Sequence, residues 1–335
     1  MKDFISSTLV MVLAFALSLS TLAAPFAPGI VPVPAFDNAN LLPTSDVIAV
    51  IDVTRLMNEL MPRVNAIDPN LEKDLKKFIA DTGIDPYQIK SAILGFSMGE
   101  KSNSATVIAD GVNLDIERVK TALKDRKDEL KTSDYKGRQV FSIGAKQGKK
   151  VGIDEEMAFS NLDGNRVAAG TLSGVQGAID AQLSGAINAD NDKLITMLGQ
   201  ASNGIVRFAA KLPQTAIKDL DAQGDLFAQF AAIKSIYGSV DMNANQDAVI
   251  DAKMRAVSSK EAAKLKTGLT GLMEMGKGIL GSLGNPQMSL LGGLIDKIKI
   301  GVVDADVSLS LMIPATMFDA YADLKKNKDK KEPAK

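Results

Sequence analysis

The stretch SDVIAVIDVTRLMNELMPRV, Ser45–Val64, sets how the rest of the chain is read. Val47–Val53 is an apolar run of strand length. A helical pattern starts directly behind it, with Leu56, Leu60 and Val64 four residues apart and Met57 beside them. Five later stretches place a helix pattern two to four residues after a strand in the same way: ADGVNLDIERVKTAL, AAGTLSGVQGAID, AAKLPQTAIKDL, RAVSSKEAAKLKTGL and LMIPATMFDAYADL.

Between these joins the strands come in pairs. Ser91–Ser97 is followed by Ala105–Asp110, Ser235–Asp241 by Ala248–Val257, and Ile298–Val303 by Val307–Ile313. Met157–Ser160 and Arg166–Ala169 flank Asp163-Gly164, the strongest hairpin signal in the chain. Hairpins require antiparallel pairing, and strand-to-helix joins lay helices over one face of the sheet. The predicted class is therefore α+β, with largely antiparallel sheets and helices packed on one face. The pattern divides into two related modules, 45–187 and 188–324, with one continuous sheet as the alternative arrangement. A length of 335 residues suits about two domains.

The flanks read differently. Lys2 precedes an apolar run, Phe4–Leu22, and Thr21-Leu22-Ala23 offers small residues where a signal peptidase cuts. Residues 1–23 are expected to be a signal peptide cleaved after Ala23, with a retained N-terminal membrane anchor as the alternative. Pro25, Pro28, Pro32, Pro34 and Pro43 make residues 24–44 a Pro-rich tether. The Lys-rich tail 325–335 is expected to be disordered. The expected address is the periplasm or the outside of the cell.

Composition removes whole chemistries. There is no Cys, which excludes disulfides, thiolate metal sites and Cys nucleophiles. There is no His, which excludes a Ser-His-Asp triad, an imidazole base and a His-ligated zinc within the chain. The formal net charge of -1 supplies no basic field for nucleic acid, and only 5% of residues are aromatic. No paired carboxylates stand out as acid and base, so the expectation is a non-enzymatic protein without a cofactor.

Four motifs suggest chemistry and lose to a simpler reading. Gly95–Ser102 resembles a phosphate loop, but Glu100 sits where Gly should precede Lys101, and a strand follows instead of a helix. Asp241, Asn243, Asn245 and Asp247 have calcium-loop spacing, but Gln246 and Ala252 replace the required Gly and Glu, which favours a polar hairpin tip. Ser133-x-x-Lys136 and Lys266-Thr267-Gly268 match β-lactamase motifs in the wrong contexts, a turn and a mid-helix position. Asp52, at the end of the first strand, is read as a helix cap.

The unusual segment is Lys260–Lys299. It sets eight glycines among Leu, Ile and Met, and Gly disfavours helix by about 1 kcal/mol relative to Ala. Leu269, Leu272, Met273, Met275, Ile279, Leu280 and Met288 are the candidate surface for a lipid-like ligand, a membrane or an envelope partner. The competing reading is two core helices broken at Gly284-Asn285-Pro286.

Leu42-Pro43-Thr44-Ser45-Asp46-Val47 opens the first module. This phrase, with the leader and the Pro-rich spacer, resembles uncharacterised exported bacterial proteins built from repeated α+β modules. The resemblance is one of layout. It implies export and brings no catalytic residues.

Overall fold

A computed structural model describes residues 38–68, 70–98, 103–112, 114–125, 130–143, 156–186, 188–212, 229–282 and 292–331. The fold is α+β, with antiparallel sheets and packed helices. The chain groups into two compact units, the first from residues 38–58 and 72–199, the second from 59–71 and 200–331.

In the first unit the strands are β1 (Val47–Asp52), β2 (Ser91–Met98), β3 (Asn103–Asp110), β4 (Leu130–Tyr135), β5 (Arg138–Ile143), β6 (Met157–Asn161) and β7 (Arg166–Thr171). They lie side by side as β1-β2-β3-β7-β6-β5-β4, every pair antiparallel. Helix α2 (Asn70–Thr82) ends at Gly83, whose φ of 74° lets its N–H bond back to Ile79. Helix α3 (Ile116–Asp125) buries Val119 and Leu123. Helix α4 (Leu172–Ser184) starts at the Thr171 cap, whose hydroxyl accepts from Gly174 N–H at 3.0 Å, and stops at left-handed Gly185.

Helix α4 sits very close to the sheet. A Cβ at Gly174 would fall 2.4 Å from the Ala105 carbonyl oxygen, so only glycine admits that approach. Val175, Ala178 and Ile179 fill the interface, whereas Leu183 points to solvent. Helix α5 (Ala189–Gln200) carries Asn191, which is fully buried. Its carbonyl oxygen accepts from Ser45 N–H at 3.0 Å, and its amide donates to the carbonyls of Leu42 and Pro43. That one side chain fastens the chain just ahead of β1.

The second unit has strands β8 (Val206–Lys211), β9 (Ile233–Met242), β10 (Ala248–Ala256), β11 (Lys299–Val303) and β12 (Asp306–Ile313). Their order is β8-β9-β10-β12-β11, again antiparallel throughout. Helix α1 (Met61–Ile67) packs against the C-terminal helix α7 (Ala315–Lys331), with Arg63 paired to Asp319 at 3.3 Å. Helix α6 (Ser259–Ser282) runs beside β10, β11 and β12.

The helix signalled by ADGVNLDIERVKTAL spans Ile116–Asp125, and Leu130 opens β4. β4 and β5 form a tight hairpin whose loop is Lys136-Gly137, with φ of 51° and 80°. Two consecutive left-handed residues match the twist of the flanking strands. Lys at the first position hides the signal that Asn-Gly would have made plain. One expectation needs correction: the C-terminal helix continues through Lys331, where disorder was expected from Lys325. Once a helix is nucleated, lysines extend it at little cost.

The leader, the Ala23 cleavage site, most of the tether, Met288 and the Gly284-Asn285-Pro286 break lie outside the described residues. So does the helical part of AAKLPQTAIKDL, residues 213–220.

Candidate functional site

Helix α6 is built by its own start signal. Ser258 Oγ accepts from Glu261 N–H at 3.3 Å, and Lys264 closes an ion pair on Glu261 at 2.9 Å. Ala262 and Leu265 are buried and hold this end of the helix to the unit. Beyond Leu265 no described residue of the helix is fully buried. The core-helix reading therefore fits only the first two turns.

The candidate residues divide by exposure. Leu269, Leu272, Met273 and Leu280 are half-buried. Met275 and Ile279 are 50% and 54% exposed and lie one turn apart. Gly271 and Gly278, beside them, have nothing within 4 Å of where a Cβ would stand. The glycines on this side therefore do not serve close packing; they leave bare backbone around two apolar side chains. Lys277 ties the helix to the segment behind it through Asp296 at 2.7 Å and also reaches Glu274 at 3.1 Å. The hydrogen bond to Asp296, then that to Glu274, raises its pKa.

Of the rejected motifs, Gly95–Ser102 lies partly outside the described residues, at 99–102, and the others fall where their contexts placed them, with one change. Asn243 accepts from Asn245 N–H and Asp247 N–H and donates to the Asp247 carboxylate. Asp247 also accepts from Ala315 N–H, and Asp241 from Met242 N–H. These oxygens are occupied within the hairpin tip and at the start of α7, and among the described residues no acidic group is arranged to hold a metal. Asp52 accepts from Arg55 N–H at 2.9 Å, the cap expected of it. Ser133 lies within β4 and not in a turn, and Lys266-Thr267-Gly268 lies within α6.

One feature escaped motif reading. Cross-strand register puts Arg207, Ser239, Asp251, Ser310 and Lys299 in one row over five strands. A second row holds Ala209, Tyr237, Lys253, Ser308 and Gly301, and a third holds Lys211, Ser235, Arg255, Asp306 and Val303. One face of this sheet is thus largely polar. Arg255 grips Asp306 with two 2.8 Å bonds, and Tyr237 hydroxyl donates to the same carboxylate. The Arg255 hydrogen bond lowers the Asp306 pKa, while burial raises that of Tyr237. Asp251 has no such partner: Oδ1 is buried without a hydrogen bond, and burial pushes its pKa up to about 6. The alternation Val249, Asp251, Lys253, Arg255 was the available signal, since period two marks one face of a strand.

The class defined by this architecture is an α+β protein of antiparallel sheets bearing an unusually open, Gly- and Met-rich helix. Against known proteins, no family model matches the chain, and no curated protein is significantly similar to it. Among solved structures it is similar to crystal form I of TP0453, at 13% identity over 87% of this chain and 98% of that one, with a TM-score of 0.42. It is similar to crystal form III of TP0453 at 12% identity over 84% and 96%, with a TM-score of 0.44.

Proposed function

We propose that this chain is an exported, non-enzymatic protein of the cell envelope that binds an apolar, lipid-like ligand on the outer side of α6. The carrying observation is the exposure of Met275 and Ile279 on that helix. Each such side chain contributes about 1.5–3 kcal/mol when fully buried, and roughly half of that area remains open here. Methionine suits a surface that must fit varied acyl chains, because its thioether is flexible and polarisable. No described helix is long and apolar enough to cross a membrane, so contact through α6 would be lateral.

The test is titration of a fluorescent long-chain lipid into the protein. Met275→Ser with Ile279→Ser should weaken binding severalfold while leaving the melting temperature unchanged, because both positions are exposed. Binding that is indifferent to both substitutions would falsify the assignment to α6. Export carries its own measurement: the intact mass of protein recovered from its envelope should correspond to a chain beginning at Ala24, and a retained leader would favour the anchored alternative.

A second reading, docking of an envelope protein on α6, is favoured by the same exposure, since an enclosed ligand site would hide Met275. Native mass spectrometry of the protein from its own envelope separates the two. A lipid mass supports ligand binding, and a protein mass supports docking.

A further inference from the structure

Each unit ends its strand order on an edge strand, and the two edges, β4 and β11, differ in what they offer. β4 shows Lys131, Thr132, Ser133 and Asp134 to solvent, a polar row of the kind that discourages strand pairing. β11 ends the strand order of the second unit, beyond β12. Among the described residues no backbone group outside β12 bonds to it. It carries Ile300, Gly301 and Val302 half-buried and Val303 71% exposed.

The sequence around β11 is self-complementary. Antiparallel pairing of two copies about Gly301 sets Ile300 opposite Val302 on one face of the sheet. It sets Lys299 opposite Val303 on the other, and each contact occurs twice. Directly opposed residues share a face in such a pairing, so the apolar pair extends the buried side and the Lys299 stem covers Val303. Charges also match. Exposed Lys297 precedes the strand, exposed Lys299 opens it, and exposed Asp304 follows it. The basic end of one copy therefore lies beside the acidic end of the other, and no like charges are opposed.

We propose that β11 is a dimerisation edge, at which a second copy of this chain adds its own β11 across a twofold axis at Gly301. This goes beyond the apolar contact assigned to α6 and does not depend on it. A five-residue edge falls short of the roughly 1,000 Å² expected of a stable interface, so the association is weak and reversible.

The test is sedimentation velocity of the purified full chain from micromolar to high concentration. The wild type should shift reversibly from monomer to dimer, and added salt should weaken the dimer. Val303→Lys places two lysines against two lysines and should raise the dissociation constant about tenfold; Val303→Glu should lower it. Val303 is exposed, so neither change should disturb the monomer, which the melting temperature verifies. A wild type that stays monomeric throughout overturns the proposal. So does a dimer that ignores both substitutions, because its interface then lies elsewhere.

Discussion

At the scale of the residue, two buried polar groups have opposite fates. Asn191 bonds three backbone groups at once, and two of the residues it holds, Leu42 and Ser45, are buried with it. Asn191→Ala should destabilise the protein by about 3 kcal/mol, since orphaned buried groups cost about 1–3 kcal/mol each and some relax; chemical denaturation measures it. Asp251 is the reverse case. Its folded pKa is raised from 3.8 to about 6, so the folded state favours the proton. Stability from this group is fully present below 3.8 and is lost as pH rises to about 6. The stability of Asp251→Asn relative to the wild type should therefore grow across that window and stay constant above it. Denaturation at several pH values would refute this if the gap were flat throughout. Asp306, held ionised by Arg255, has the opposite sign and loses its contribution as pH falls.

At the scale of the element, two turns of chemistry can be tuned. Lys136 occupies a left-handed position that Asn adopts far more readily, and its ion pair with Asp180 is exposed. Such a pair contributes about 0–1 kcal/mol, so Lys136→Asn should be neutral to stabilising, with the gain appearing as a higher denaturation midpoint. In α6, Gly271 and Gly278 have open space around them. Gly271→Ala and Gly278→Ala should each stabilise the helix by about 0.5–1 kcal/mol without repacking, read as slower amide exchange along α6. Loss of protection would mean that the bare backbone there packs against something.

At the scale of the whole molecule, charge sets behaviour in solution. Residues 1–23 hold one Lys and one Asp, so cleavage after Ala23 leaves the net charge at -1. Solubility should be lowest near the sequence pI of 5.8 and rise by pH 8, measured by light scattering. This minimum is colloidal and separate from the stability change at Asp251, which a single buried side chain produces.

The sequence by itself determined the class. Alternating and continuous apolar runs, Asp163-Gly164, and the cap at Asp52 are local signals, because strand period, turn geometry and capping act within a few residues. It also determined which chemistries are absent, since no fold can supply a missing His or Cys. Tertiary structure decided what depends on distant partners. The burial of Asn191 rests on residues nearly 150 positions away, and the solitude of Asp251 on what β9 and β12 do not offer. The Lys136-Gly137 turn needed backbone angles to be recognised. For α6, periodicity left Met275 and Ile279 between a candidate surface and a core face, and the structure left them open, because a pattern of apolar residues says which side chains share a face and not what covers it.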